Sequence, residues 1–229
     1  MHPAALEKFW RGSRLRSTNT KHCCPKNPIW LDRTVGIGVV EPEEALALGL
    51  SGPTLRGDGV NWDIRKAEPY MGYDTFEFDV PLGEHGDVYD RYIIRIHEDC
   101  VEPTLFCARP QTLTPTGEFR SNNRKFVPPP RSELGRSMEA VIHHFKLWTE
   151  GFSLPDEGSI RMAIESPRGE IGCYLHGTGG PTARRVHFKT PSFIHISALA
   201  EMAPGYMIAD LIGIVGSIDC VQGTATVRD

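Results

Sequence analysis

The sequence predicts an α+β fold, in which helices combine with a small antiparallel sheet. Two observations predict it. Apolar residues recur at helical spacing over 134–148 and again over 193–218, whereas between 160 and 188 they alternate with polar residues in segments separated by short turns. At 229 residues, the chain is long enough to bury a core of its own.

The first predicted elements are short. Pro42, followed by acidic residues, is typical of a helix start, and Gly49 is a suitable stop. Gly52-Pro53 then breaks the chain. Thr75–Val80 alternates as a strand would. The apolar side chains on one side of this strand are those of Phe76, Phe78 and Val80.

Two longer helices are predicted in the middle of the chain. Asp87 is a suitable N-cap for the first of them. Its apolar face comprises Val88, Tyr92, Ile93 and Ile96. Residues 99–123 are rich in Pro and Thr without periodicity, which indicates a loop. The second helix is expected to start with Ser132 as its cap and to end at Gly151.

A three-stranded antiparallel meander is predicted next, followed by two closing helices. The alternating residues are Ile160, Met162 and Ile164, then Ile171, Cys173 and Leu175, and finally Val186 and Phe188. Residues 177–180, Gly-Thr-Gly-Gly, form the turn before the last strand. The closing helices run from about Phe193 to Met202 and from about Tyr206 to Ile218.

Composition excludes several classes of function. A net charge of -4 does not favour nucleic-acid binding, which requires a basic surface. Met207–Ile218 is the most apolar segment and is too short to span a bilayer. No pair of the six cysteines has CxxC spacing, so we expect free thiols in a reducing compartment and no metal site.

The run from Leu55 to Tyr92 is the most informative stretch, because it combines many large aromatic rings with many carboxylates. That mixture predicts a tightly turned segment that packs against other elements while its charges are paired. The run, LRGDGVNWDIRKAEPYMGYDTFEFDVPLGEHGDVYDRY, closely resembles the D subunit of NADH:quinone oxidoreductase, respiratory complex I. Three further segments resemble the same family in order and spacing: ESPRGE (165–170), KTPSFIHISALAEM (189–202) and IADLIGIVGSID (208–219).

The resemblance implies a fold and a domain organisation. It covers residues 27–98 and 118–228, about the C-terminal half of a complete D subunit. Residues 27–229 are therefore expected to form the C-terminal half of the hydrogenase-large-subunit-like fold, with a divergent loop at 99–117. Residues 1–26 are expected to be an irregular segment without a family match. The nickel-iron hydrogenase large subunit is a more distant relative.

The resemblance also suggests site residues. Hydrogenases hold nickel with two CxxC pairs, whereas the matching segment here has only Cys220, so we reject a nickel site. We assign no catalytic residue and no metal ligand. Arg168, Asp219 and Val221 are expected to line a quinone pocket. Arg168 should project from a tight turn and approach a carboxylate, for which Asp219 and Glu165 are the candidates.

The implied function is that of the quinone-reducing subunit. Electrons would pass from NADH through FMN and iron-sulfur clusters in partner subunits to quinone, and this chain would bind none of these cofactors. The expected partners are quinone, the iron-sulfur B subunit, the C subunit and the membrane H subunit. The complex would lie on the cytoplasmic face of the bacterial membrane or, alternatively, on the matrix side of the mitochondrial inner membrane.

Two expectations concern activity. In the family, the His and Tyr that hold the quinone head group belong to the first half of the subunit, so the isolated chain is expected to be inactive. The alternative is a truncated or decayed remnant that acts at most as a non-catalytic interaction module, favoured by the divergence before Asn27 and over 99–117.

Overall fold

The computed structural model describes residues 27–99, 120–151, 153–154 and 158–225. Within them the chain forms helices and a three-stranded antiparallel sheet, which confirms the predicted α+β class. The described residues fall into two compact units. The first comprises 27–99, Ala163–Gly172 and 188–225, and the second comprises the rest. The predictions for 1–26 and 100–117 lie outside the described residues.

The first unit begins with short helices that start at prolines or capping residues. They are α1 (Pro28–Asp32), α2 (Pro42–Ala47), α3 (Gly52–Gly57) and α4 (Ile64–Ala67), followed by a 3-10 turn (Tyr73–Thr75) and a longer helix α5 (88–99). Asp87 caps α5 as predicted, because its Oδ1 accepts a hydrogen bond of 2.8 Å from the Asp90 N–H.

The predicted strand at Thr75–Val80 is wrong. The segment is extended after the 3-10 turn, and its faces alternate as predicted: Phe78 is buried, whereas Glu77 and Asp79 are exposed. In the described residues, however, no neighbouring strand pairs with it. The alternation therefore correctly predicted which face is buried, but a strand also needs a hydrogen-bonded neighbouring strand, and the described part of the chain provides none for this segment.

In the second unit, the long helix predicted from Ser132 is interrupted. α6 (Arg131–Leu134) ends at Gly135, and α7 (Met138–Phe145) continues into a π-helical turn (Lys146–Glu150). Ser132 is not the cap of the main helix; Ser137 is, since its Oγ accepts from the Ala140 N–H at 3.3 Å. Gly151, at φ 74°, ends the helix as predicted.

The sheet is the predicted meander. Its strands are β1 (Ser159–Ser166), β2 (Gly169–His176) and β3 (Arg185–Lys189), in the spatial order β1-β2-β3. Only Pro167 and Arg168 separate β1 from β2. Arg168 therefore occupies the tip of a two-residue hairpin turn, as its sequence context predicts.

The remaining helices complete the first unit. α8 (Pro191–Met202) and α9 (Ile208–Ile218) confirm the two closing helices, and a short helix α10 (Gln222–Ala225) was not predicted. Side chains from α2, α3, α5, α8 and α9 and from neighbouring loops form the core. Its buried members are Val40, Ala45, Leu50, Leu55, Val88, Ala198, Met202 and Ile214. No helix in the described ranges is long and apolar enough to cross a bilayer.

A contact between two glycine backbones joins α3 to the hairpin turn. Gly52 (φ 65°) and Gly169 (φ 138°) lie so close that a Cβ on either would collide with the opposing segment. Ser51 reinforces this contact, because its Oγ accepts from the Glu170 N–H at 3.1 Å. The Ser51 N–H in turn donates to Nε2 of the buried His195 on α8, at 3.3 Å. These contacts determine where the hairpin tip lies.

Replacing Gly52 with Ala should therefore destabilise the first unit strongly. Steric overlap and the positive φ together should lower the free energy of unfolding by about 2–4 kcal/mol. Gly36→Ala is the matched control, because Gly36 has φ 70° but open space around its Cα, and its cost should be about 1 kcal/mol. Urea denaturation measures both; equal losses would contradict the close-contact explanation.

Candidate functional site

Arg168 and Asp219 lie in contact, although 51 residues separate them in sequence. Arg168 Nε donates to the backbone carbonyl oxygen of Asp219 at 3.0 Å and lies 3.2 Å from its Oδ2. Arg168, at the hairpin tip, thus binds Asp219, the residue that follows α9. The predicted approach of this arginine to a carboxylate is confirmed, and the partner is Asp219 rather than Glu165.

Asp219 owes its position to the end of α9. It adopts the left-handed conformation, at φ 50° and ψ 51°, and its N–H bonds to the carbonyl of Gly216. Aspartate is among the few non-glycine residues that enter this region readily. The chain therefore turns away from the helix at Asp219, so that both its carbonyl and its carboxylate face Arg168.

The loop after α9 is also held by α8. Val221 N–H donates to Oγ of the buried Ser192 at 3.2 Å, and the Cys220 thiol lies 3.8 Å from the Ser192 carbonyl oxygen. Burial, together with the negative charge of Asp219, raises the pKa of the Cys220 thiol. Cys220 is a free thiol in this loop. Residues 219–221, hereafter the C-terminal loop, are thus anchored by Ser192 on one side and by Arg168 on the other.

Arg95 on α5 adds a second positive charge near this loop. Burial lowers its pKa, whereas the charge of Asp219 acts in the opposite direction. Its guanidinium donates to the Arg91 carbonyl oxygen at 3.0 Å and to Thr54 Oγ1 at 3.4 Å. Among the described residues, no carboxylate lies within ion-pair distance of Arg95. Two arginine side chains, Arg95 and Arg168, thus lie near the C-terminal loop, which carries the negative charge of Asp219.

A buried network around Arg56 contacts the first strand of the hairpin, β1. Arg56 is only 1% exposed. Its Nε donates to Glu98 Oε1 at 2.8 Å, and its Nη1 donates to Glu165 Oε1 at 2.9 Å. Asp63 lies at 3.6 Å, within ion-pair range. Arg56 thereby joins α3 to α5 and to β1, two residues before the turn that carries Arg168.

The carboxylates of this network have shifted pKa values. Burial raises the pKa of Glu98 and of Glu165, against the opposing charge of Arg56. Burial acts in the same direction on Asp63, but its hydrogen bonds to Arg65 and the charges of Arg65 and Arg56 together outweigh burial and lower its pKa. Tyr70 also contacts this network: its hydroxyl oxygen accepts a hydrogen bond of 3.0 Å from the Glu165 N–H.

A second buried ion pair also involves α5, through Arg91. Arg91 Nη2 is 3.0 Å from Asp58 Oδ1 and donates to the carbonyl oxygens of Gly38 and Gly86. Burial raises the pKa of Asp58 to about 7, although Arg91 acts to lower it. Burial, together with the charge of Arg95, lowers the pKa of His195 to about 4.

The sequence predicted this network in general terms but not in its particulars. The charge-rich run from Leu55 to Tyr92 was expected to pair its charges, and it does so through Arg56 and Arg91. The partners Glu98 and Glu165 lie outside the run, and no spacing rule connects them to Arg56. In the described part of the chain, no group of three or more His, Cys, Asp or Glu residues is arranged to hold a metal ion.

Comparison with known proteins identifies the family. The sequence model of one protein family, the 49 kDa subunit of respiratory-chain NADH dehydrogenase, matches residues 3–226. The chain belongs to this family. Similar proteins are the NADH-quinone oxidoreductase D subunit 2 of Chloroflexus aurantiacus, 49% identical over 86% of this chain and 48% of its own length, and the D subunit 1 of Roseiflexus castenholzii, 48% identical over 96% and 53%. The D subunit 1 of Herpetosiphon aurantiacus is 51% identical over 86% and 47%.

The family comparison confirms the resemblance to the complex I D subunit. The chain spans about half the length of the curated relatives it matches. The match at 3–226 spans residues 99–117 and all but the first two residues of 1–26, the two segments that were expected to diverge. The domain boundaries themselves, and the assignment of Arg168, Asp219 and Val221 to a quinone pocket, stay predictions.

The two arginine sites should differ in their contribution to stability. Arg168 and Asp219 are 39% and 46% exposed, so Arg168→Met should lower the free energy of unfolding by less than about 1 kcal/mol. Arg56→Met would leave buried carboxylates without their cation and should cost about 3–5 kcal/mol. Urea denaturation of both variants distinguishes these outcomes, and similar losses would show that Arg168 is a structural residue.

Asp58 and His195 should give opposite pH dependences. The stabilising effect of Asp58, with its pKa raised from 3.8 to about 7, is fully present below pH 3.8 and is lost as the pH rises through 7. That of His195, with its pKa lowered from 6.5 to about 4, is present above pH 6.5 and is lost as the pH falls through 4. The shifts correspond to about 4 and about 3 kcal/mol.

Unfolding free energies from pH 4 to 7 test this opposition. The advantage of wild type over Asp58→Asn should grow as the pH falls. The advantage of wild type over His195→Gln should shrink over the same range, and Gln can still accept from the Ser51 N–H. Two difference curves of the same sign would contradict the assigned shifts.

Proposed function

We propose that the chain forms part of the quinone-reducing subunit of an NADH:quinone oxidoreductase and that its C-terminal loop lies at the quinone. Membership of the 49 kDa subunit family supports the reaction. The contact between Arg168 and Asp219 carries the assignment of the site, because it holds the C-terminal loop near two arginine side chains. We assign to Arg168, Asp219 and Val221 the roles of positioning and lining this site.

The chemistry of quinone reduction suits arginine side chains near this loop. Negative charge develops on the quinone carbonyl oxygens as electrons arrive, and fixed positive charges nearby stabilise it. Arg168 and Arg95 supply these charges, because arginine keeps its proton throughout the pH range of the cell. Asp219 orients Arg168 through its carbonyl and carboxylate oxygens, while Val221 contributes apolar surface for the ring.

The remaining electron carriers are assigned to other subunits. NADH would be oxidised at FMN, and iron-sulfur clusters would deliver the electrons to quinone, with the B, C and H subunits as neighbours. The chain would adopt the C-terminal half of a hydrogenase-large-subunit-like fold without nickel. The complex would lie peripherally on the cytoplasmic face of a bacterial membrane or, alternatively, on the matrix side of the mitochondrial inner membrane.

Substitutions in a complete relative test the site. The equivalents of Arg168→Met and Asp219→Asn, introduced into the Roseiflexus castenholzii complex, should lower NADH:quinone turnover at least about 10-fold. Turnover with a soluble acceptor that takes electrons at the flavin should stay unchanged, as should subunit composition. Unchanged quinone turnover would refute the assignment. Loss of assembly without a specific loss of quinone reduction would favour the interaction-module alternative.

The purified 229-residue chain should contain no stoichiometric nickel, iron, zinc or flavin, because its electron carriers are assigned to partner subunits. It should also show no NADH:quinone turnover alone. Elemental analysis and visible absorption measure the first, and an NADH oxidation assay with a short-chain quinone measures the second. About one metal ion or flavin per chain, or measurable turnover, would contradict this division of labour.

A further inference from the structure

An apolar face of α9 is exposed. Ile208, Leu211, Ile212 and Val215 follow one another at spacings of three, one and three residues, which places them on one side of the helix. Ile208 is 89% exposed and Ile212 is 78% exposed. Ile214 and Ile218, in contrast, are buried. A helix that is apolar on both sides is normally covered on both.

A groove lies beside this face. Its cavity is about 550 Å³, and residues from α1, α5 and α9 line it. Those that matter here are Trp30, Val88, Arg95, Ile212, Gly213 and Gly216. Because Gly213 and Gly216 carry no side chains, another backbone can approach α9 closely along this flank.

Two buried hydrogen-bond donors that line the groove have no acceptor in the described chain. They are Nε1 of Trp30 and Nε of Arg95. A buried donor without an acceptor destabilises the state that contains it. A molecule that filled the groove and brought an oxygen acceptor, such as an amide or a backbone carbonyl, would satisfy both donors. The groove therefore requires an occupant that is mainly apolar and carries an oxygen acceptor.

The occupant must also cover the exposed helix face. Ile208, Leu211 and Val215 lie outside the lining of the cavity, so a small ligand inside it would leave them in water. A second helix packed along α9 would cover both the cavity and these side chains. Apolar residues three or four positions apart are the usual contacts between a helix and an apolar groove. About half of each D-subunit relative lies outside the match, since this chain covers 48% and 53% of two of them, and that remaining length is a source for such a helix.

We propose that the α9 groove is the docking site for an apolar helix from the part of the D-subunit polypeptide that this chain does not include. That helix would place an amide or backbone carbonyl oxygen against Arg95 and Trp30, which satisfies both donors and leaves the charge of Arg95 in place. This inference depends on membership of the family and on the shape of the groove. It does not depend on the proposed quinone site.

Co-expression tests the proposal. The 229-residue chain, with an affinity tag, is produced together with the remaining part of the Roseiflexus castenholzii protein. The two should purify as a 1:1 complex by light scattering, and hydrogen exchange over 208–217 should be at least about 10-fold slower than in the chain alone. Arg95→Met should weaken the complex, because it removes the donor but keeps an apolar side chain.

A pair of matched variants locates the contact. Ile208→Asp/Ile212→Asp should reduce the recovered complex at least about 10-fold, since charge on the apolar anchors opposes burial of the face. Leu46→Asp, on the exposed side of α2, should not reduce it. Far-ultraviolet circular dichroism and thermal melting of each chain alone verify that the variants fold.

Three results would overturn the proposal. They are equal recovery with the α9 and α2 variants, protection confined to other segments, and protection of 208–217 that depends only on the concentration of the chain itself. The last result would identify a second copy as the occupant. If an α9 variant does not fold, the protection pattern of the wild-type chain still decides the question.

Discussion

The first unit depends on a buried cation, Arg56, that three separate stretches of chain must neutralise together. Asp63 comes from the segment just after α3, Glu98 from α5 and Glu165 from β1. A guanidinium removed from water is tolerated only when carboxylates and carbonyls satisfy it. The hairpin that carries Arg168 is therefore positioned by ion pairs as well as by packing. The location of the contact between Arg168 and Asp219 depends on the same ion pairs.

Packing at glycines adds the second constraint. Gly57 lies against the side chain of Arg91, and Gly52 lies against Gly169. In both places a Cβ would separate two segments whose charges have to meet. The close approach of the backbone and the burial of the ion pairs are thus two aspects of one arrangement, since neither buried arginine would reach its partners if the segments were farther apart.

Sequence alone predicted the parts of this fold that depend on local rules. The α5 cap at Asp87, the meander, the hairpin tip at Arg168 and the closing helices were predicted, because capping, alternation and turn chemistry act within a few residues. The contact between Arg168 and Asp219 was anticipated from family resemblance rather than from spacing. The predictions failed where contacts between segments that are distant in sequence determine the structure. The extended segment at 76–80 lacks a partner strand among the described residues, and the Arg56 network joins residues that no local pattern connects.

The separation between Arg56 and Glu165 has a consequence for biogenesis. The two residues lie 109 positions apart, so at roughly 5–20 residues per second a ribosome needs about 5–20 s to deliver the second after the first. Asp63 and Glu98 are synthesised earlier and can already pair with Arg56, but the hairpin is still missing during that interval. The core also lacks Ala198, Met202 and Ile214, which come later still, so the first stretch of the chain cannot complete its core early. Folding of the first unit therefore waits for the hairpin and the two closing helices, and until they are synthesised the apolar side chains of α2 and α3 have no core to enter.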